Sequence, residues 1–203
     1  MTTIEVYADV CCPFAHVGLR RLVERRAELG ADAVLRVRAW PLELVNGQPM
    51  DGEFIGEEID EIRPQVAADL FAGFRVDAFP SSSIPAMALV ESAYAVGEAA
   101  GEAVSLAVRD ALFEHGLDVG DDDVLAGIAE RHGVPMPTDA ERAAVAASWE
   151  EGRSRGVIGS PHFFTPQGGF FCPTLDIKRV EGHLRITADM EAFDEFTASC
   201  FEH

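Results

Sequence analysis

Four cysteines stand in this sequence, and two of them adjoin at Cys11-Cys12-Pro13. A thiol attacks only as its thiolate, so what matters for each is the charge its surroundings would favour. Residues Ile4 to Val10 alternate and then run apolar, the pattern of a strand, which Cys11-Cys12-Pro13 ends abruptly. From Pro13 to Leu29 the residues Phe14, Val17, Leu22, Val23 and Ala27 recur near helical spacing, with proline in the first turn and Gly30 just past the end. Cys12 thus falls at a strand-to-helix junction, its sulfur beside free backbone N–H groups and the positive helix end. That setting predicts a lowered thiol pKa and an exposed thiolate, and makes Cys12 the expected catalytic nucleophile. The plainer reading is a small apolar side chain packed under a sheet.

A second stretch points to the same chemistry. Gly156-Val-Ile-Gly-Ser-Pro-His-Phe-Phe164 sets a proline between a small residue and an aromatic run, just before a predicted strand. A proline there, if cis, exposes the backbone of Ser160 to an extended thiol ligand. Ser160, Pro161 and His162, with Phe14 beside the thiol, are the candidate substrate-binding residues. Cys11 is expected to point away from Cys12, because a vicinal disulfide would strain its connecting peptide. Cys200 reads as a packed residue of a terminal helix. His16, four residues after Cys12 on one helix face, could tune the thiolate, but an ordinary surface or half-buried helix position is the stronger expectation. His115, His132 and His183 lie near predicted turns and read as surface residues. No Cys/His grouping has metal-ligand spacing, so no metal is expected, and Asp121 to Asp123 reads as an acidic helix start.

The elements that must hold these residues follow from periodicity. Val34 to Trp40 predicts a second strand, and strand, helix, strand in this span is a βαβ unit with parallel strands. From Glu57 to about Arg155 the pattern is helical: Gln65 to Phe74, Ile84 to Ala100, Glu102 to Glu114, Asp123 to His132 and Asp139 to Ser154. After Gly156, Phe163 to Thr165 and Phe170 to Cys172 flank a Gly-rich turn and predict a hairpin. Leu175 to Val180 and His183 to Thr187 permit a second hairpin, with a short helix from Thr174 as the competing reading. A last amphipathic helix is expected over Ala188 to Phe201. The 203 residues, 48% hydrophobic, suffice for one sizeable core. A net charge of −19 opposes phosphate backbones and anionic bilayers, so neither nucleic acid nor membrane is an expected partner. With no leader-like or membrane-spanning run and few cysteines, a cytoplasmic protein with reduced thiols is expected.

Taken together, the order of strand, Cys-Pro helix, strand, helical insertion, Gly-x-x-Gly-Ser-Pro, hairpin and terminal helix resembles the thioredoxin superfamily. It is most similar to the DsbA-like branch, which includes FrnE-type proteins, kappa-class glutathione transferases and 2-hydroxychromene-2-carboxylate isomerases. Asp9-Val-Cys-Cys-Pro-Phe-Ala-His-Val-Gly18 resembles that branch's active-site turn. Asp110 to Val119, with Val124-Leu125, resembles its insertion helices, and Gly156 to Phe164 its cis-proline loop. The resemblance implies an α/β thioredoxin fold with an inserted all-helical domain: a discontinuous thioredoxin-like domain of residues 1–56 and 156–203, and an insertion of 57–155. It also implies that Cys12 faces a cis Pro161. The hairpin of that fold returns toward the active-site edge, which makes Cys172 a candidate resolving cysteine.

The chain departs from the pattern at Ala15, where DsbA-like oxidoreductases place their second cysteine. The transferase and isomerase members lack this pair too, but commonly present Ser at the first position, where this chain has Cys12. Phe171-Cys-Pro-Thr-Leu-Asp176 carries neither the Gly-x-Asp-Arg run of the transferases nor the Ser-Gly-Ala run of FrnE-type members. The leading expectation is a monothiol thiol-disulfide oxidoreductase: Cys12 forms a mixed disulfide that a low-molecular-weight thiol, glutathione or mycothiol, resolves. A thiol-dependent transferase or isomerase, with Cys12 as hydrogen-bond donor, is the alternative, and a non-catalytic binding domain the third. Expected partners are a small-molecule thiol or electrophile, or a protein thiol, with no tightly bound cofactor; a homodimer is in keeping with the family.

Overall fold

The computed structural model describes residues 2–201. Strand β1 (Thr2–Ala8) is central to a four-stranded sheet, and for that reason both of its faces are apolar: Val6 and Tyr7, which point to opposite sides, are both buried. It ends at Ala8 rather than at Val10. The Asp9 carboxylate accepts the backbone N–H groups of Cys11 and Leu42, drawing the chain out of the ladder. Helix α1 (Pro13–Leu29) opens on proline and closes on Gly30, whose positive φ suits the left-handed cap. Strand β2 (Ala33–Ala39) returns parallel to β1, in register from Thr2 opposite Ala33 to Ala8 opposite Ala39.

The helical region begins earlier than the periodicity suggested. A short helix α2 (Leu42–Asn46) precedes α3 (Gly52–Val66), which is capped by Asp51 and buries Ile55, Ile59 and Ile62. The helix expected over Gln65 to Phe74 does not form. The Glu114 carboxylate takes the N–H groups of Phe71 and Ala72, and Phe71 adopts a positive φ, so this stretch is a turn leading to a 3-10 segment at Val76–Ala78. Gly97 divides the expected Ile84 to Ala100 helix into α4 (Ile84–Val96) and α5 (Glu98–Phe113). Helix α6 (Asp122–His132) is capped by Asp121, and α7 (Asp139–Ser154) by a Thr138–Glu141 capping box.

Beyond the helices, β3 (His162–Thr165) pairs antiparallel with β1, and β4 (Gly168–Phe171) with β3, giving the order β2-β1-β3-β4. Strands β5 (Leu175–Val180) and β6 (His183–Ala188) form a separate hairpin around Glu181-Gly182, both at positive φ, and no helix starts at Thr174. Helix α8 (Met190–Phe201) lays Phe196 against Phe163 and Phe170. One continuous apolar cluster joins sheet residues such as Val6 and Leu35 to helical residues such as Leu89, Val108 and Leu112. No helix among the described residues is long and apolar enough to cross a membrane.

Candidate active site

Cys12 is the N-cap of α1, with extended backbone angles (φ −83°, ψ 114°) that aim its side chain across the end of the sheet. Its thiol donates to the carbonyl oxygen of Ser160 at 3.2 Å. The Ser160–Pro161 peptide is cis, and Pro161 lies over α1 where a Cβ on Gly18 would sit 3.4 Å from the proline ring. Two distant parts of the sequence therefore meet at one thiol.

That thiol is not the exposed thiolate the junction suggested. Cys12 is only 4% exposed, and burial pushes its pKa up to about 11. The Ser160 side chain and the Ala15 backbone N–H oppose the rise, while the negative charges of Asp9 and Glu58 add to it. The helix end is present as expected, but desolvation of a fully covered sulfur outweighs it.

Cys172 is part of what surrounds the site. Its backbone N–H donates to Pro161 O at 3.0 Å, its φ is positive, and burial followed by the charge of Cys12 pushes its thiol up to about 12. The hydroxyl of Thr174, buried near Gly18, has no hydrogen-bond partner among the described residues. All four cysteines are free.

Beneath the turn lies a buried polar network. Asp9 accepts from Cys11 N at 2.7 Å, Leu42 N at 2.6 Å and Ser83 Oγ at 3.1 Å, and its own N–H donates to Ser160 Oγ at 2.9 Å. Arg109, 1% exposed, donates to Asp9 O, to Ser105 O and to Ser105 Oγ. Burial raises Asp9 to about 6, against the lowering effect of those hydrogen bonds and of Arg109. Asp9 is a site residue that residue-level reading assigned no role. Its signal was a carboxylate at the end of an apolar strand. Glu58 on α3 is another: burial raises it to about 7, it lies 3.3 Å from Arg179, and its charge reaches Cys12. In sequence it is one more charge on an amphipathic helix.

The fold corrects one histidine, while His115, His132 and His183 are exposed as expected. His16 is neither a surface residue nor engaged with the thiol: it is 1% exposed, bonded through Nε2 to Glu114 Oε1 at 2.7 Å, and packed on Phe71 and Phe113. Burial lowers its pKa, whereas Glu114, despite its own burial, is drawn down to about 2 by His16 and by two backbone N–H groups. His162 stacks on Phe164 and accepts from Ile158 N, so its ring braces the loop before Pro161. Phe14 is half-buried against the core. Cys11 and Cys200 are buried, with thiols raised by that burial. Among the described residues no group of three or more His, Cys, Asp or Glu side chains could hold a metal ion.

The sequence matches the DSBA-like thioredoxin domain over residues 3–185. The chain belongs to the DsbA-like thioredoxin family. Its sheet order, with α3 to α7 inserted between β2 and β3, is the thioredoxin fold with a helical insertion. Among solved structures it is similar to the cytosolic disulfide reductase DsbM from Pseudomonas aeruginosa, at 16% identity and a TM-score of 0.62 over 96% of this chain and 98% of that one. A putative protein disulfide isomerase from Nitrosomonas europaea gives 16% identity and a TM-score of 0.66 over 96% and 95% of the two chains. A 2-hydroxychromene-2-carboxylate isomerase gives 15% and 0.58 over 97% and 94%. No curated protein sequence matches the chain. At these identities the structural likeness speaks for the fold, and the family match is to a DsbA-like thioredoxin domain.

Proposed function

We propose that this DsbA-like protein is a thiol-disulfide oxidoreductase that works through the single nucleophile Cys12. The observation carrying the reading is the thiol at the N-cap of α1, 3.2 Å from Ser160 O in the loop that ends in the cis Ser160–Pro161 peptide. Against a disulfide lying along that loop, the Cys12 sulfur attacks one of the two sulfurs. A Cys12 mixed disulfide forms, the substrate S–S bond breaks, and the departing sulfur leaves as a thiolate with the bonding pair. A low-molecular-weight thiolate, glutathione or mycothiol, then attacks the substrate-derived sulfur and releases Cys12. Since burial dominates the raised pKa, Cys12 becomes a competent nucleophile where water reaches its sulfur.

Two finer readings have support of their own. Cys172 takes the place of the resolving thiol if its thiolate attacks the Cys12 sulfur, forming a Cys12–Cys172 disulfide and expelling the substrate thiolate; in support, the Cys172 thiol is near enough to feel the charge of Cys12, although that charge and burial both oppose its ionisation. A thiol protonated at neutral pH instead favours the transferase or isomerase reading, in which Cys12 stays neutral and donates to the sulfur of a bound thiol cofactor.

Native protein incubated with glutathione disulfide and weighed intact tests these together. One glutathione adduct that maps to Cys12 and is absent from Cys12→Ser is expected, and no adduct overturns the nucleophile. In Cys172→Ser the adduct should persist longer if Cys172 resolves it. Full activity of Cys12→Ser with a thiol cofactor would establish the donor role instead.

A further inference from the structure

The loop between α7 and β3 carries the Ser160 carbonyl that meets the Cys12 thiol, and it is tied down at few points. Near its start Val157 N–H donates to Gly152 O at 3.0 Å, and near its end Ser160 Oγ accepts from Asp9 N at 2.9 Å. Between them stands Ile158, whose side chain is 73% exposed and anchors nothing. Its backbone N–H donates to Nδ1 of His162 at 3.3 Å. Phe171 walls off the next residue, since a Cβ on Gly159 would come within 2.6 Å of its ring. One imidazole nitrogen is thus the polar tie at the middle of the loop.

That bond decides which form of the ring is present. A nitrogen that accepts carries no proton, so neutral His162 bears its hydrogen on Nε2, and a second proton has to enter at Nδ1. Two donors would then face each other, and Ile158 N–H would lose its acceptor. The ring has little room to move aside. It is 8% exposed, stacks on Phe164 with centroids 4.8 Å apart, and lies against β4 where a Cβ on Gly169 would come within 3.0 Å of Nε2.

We propose that neutral His162 is a positioning residue for Cys12, its bare Nδ1 latching the loop over the thiol and releasing it when the ring is protonated. Burial is the largest influence on Cys12, so the chain that covers the sulfur governs its reactivity more than any one charge nearby. The groups around the ring favour the latched form. Burial, and after it the charge of Arg155, lowers the pKa of His162 from 6.5, and Arg155 lies over the Phe164 ring at 4.1 Å. Arg155 is itself paired with Glu5 of β1 and with Glu151 of α7. Tyr7, opposite His162 on β1, has its hydroxyl pKa raised by burial and stays neutral, and the β4 neighbours Gly169 and Phe171 carry no charge. With a lowered folded pKa, the latch contributes fully above the ordinary value and is lost as pH falls through the folded one. The proposal needs Cys12 only as a covered thiol, and it stands whether that thiol is a nucleophile or a hydrogen-bond donor.

Two measurements on the whole chain test the latch. Nitrogen NMR of the His162 ring should show a bare Nδ1 and a protonated Nε2 at about pH 7.5, and the opposite tautomer would overturn the proposal. The second is alkylation of Cys12 by N-ethylmaleimide, mapped by mass and divided by the rate for N-acetylcysteine at the same pH. Since both thiols titrate above the range used, the ratio removes the ordinary loss of thiolate in acid. Asp9 and Glu58, raised to about 6 and about 7, also lose charge over this range, so the comparison is with His162→Asn. Asparagine sets an amide oxygen near the Nδ1 position and does not titrate. Wild type should match His162→Asn at about pH 7.5 and exceed it about threefold at about pH 5, while His162→Ala, with no acceptor, should exceed it about threefold at both. Equal pH profiles in wild type and His162→Asn, or an alanine variant no faster than the asparagine one, would overturn the latch. So would a Cys12 left unalkylated in every variant at every pH, because releasing the loop would then not uncover the sulfur.

Discussion

At the scale of single residues, the balance at Cys12 shows how burial competes with a favourable helix end. The same contest governs Asp9, which is wholly enclosed yet receives three hydrogen bonds on its carboxylate. Its folded pKa, about 6, lies above the ordinary 3.8. The folded state therefore holds the proton more tightly, and the stability Asp9 contributes is full below about pH 4 and is lost as pH rises through 6. The shift corresponds to at most about 3 kcal/mol. Asp9→Asn keeps the shape and removes the ionisation. The gap in melting temperature between wild type and Asp9→Asn should therefore change between pH 4 and 6 and stay constant from 7 to 8. A gap that does not vary with pH would mean that folding leaves the pKa of Asp9 unchanged. In sequence Asp9 was visible as a polar residue ending an apolar strand, but its partners Leu42, Ser83 and Arg109 come from three other elements. No local spacing could announce them.

Among the elements, the pieces fixed by local rules matched their expected positions closely. The capping box sets α7 at Thr138, Pro13 and Gly30 bound α1, and alternation gives β5. The errors came where a long-range side chain overruled a local pattern, as when Glu114 unwound the stretch around Phe71. The crossing of α4 and α5 depends on a similar distant fit. A Cβ on Gly101 would fall on the ring of Tyr94, whose hydroxyl accepts from Val37 N at 2.7 Å and donates to Leu35 O at 3.0 Å. Gly101→Ala therefore forces apart two helices and breaks their hold on β2. It should destabilise the protein by about 2 kcal/mol or more, even though alanine is the better helix former. Urea unfolding measures this; a neutral or stabilising result would show that Tyr94 can move freely. The cis peptide before Pro161 marks the opposite case, since a Ser-Pro pair before a strand is visible in sequence and its meeting with Cys12 rests only on the family's chain order.

Over the whole molecule the excess of acidic residues sets which disulfides approach the thiol. A charge of −19 raises the local concentration of cations and lowers that of anions, an effect that salt screens within about 10 Å at 0.1 M. Cystamine, a cationic disulfide, should therefore modify Cys12 several-fold faster than glutathione disulfide, beyond their difference in free solution with a small thiolate. That excess should shrink as sodium chloride is raised from 20 mM to 0.5 M, concentrations on the order of those that bracket strong and weak screening. Rates independent of salt would mean that local groups such as Arg179 cancel the global field at the site.

The Tyr94 hydroxyl, together with Glu102 accepting from Leu35 N at 2.9 Å, has a further effect on β2. This strand is the outer one on its side of the sheet, and three of its backbone groups, Leu35 N, Leu35 O and Val37 N, are already occupied by side chains of α4 and α5. A stray extended chain would have to displace those bonds to pair there. Growth of this sheet by strand addition is thereby less hindered on the far side, where β4 offers four residues, two of them glycine. The helices that help to hold the active-site end of the fold thus also protect it against edge-to-edge aggregation.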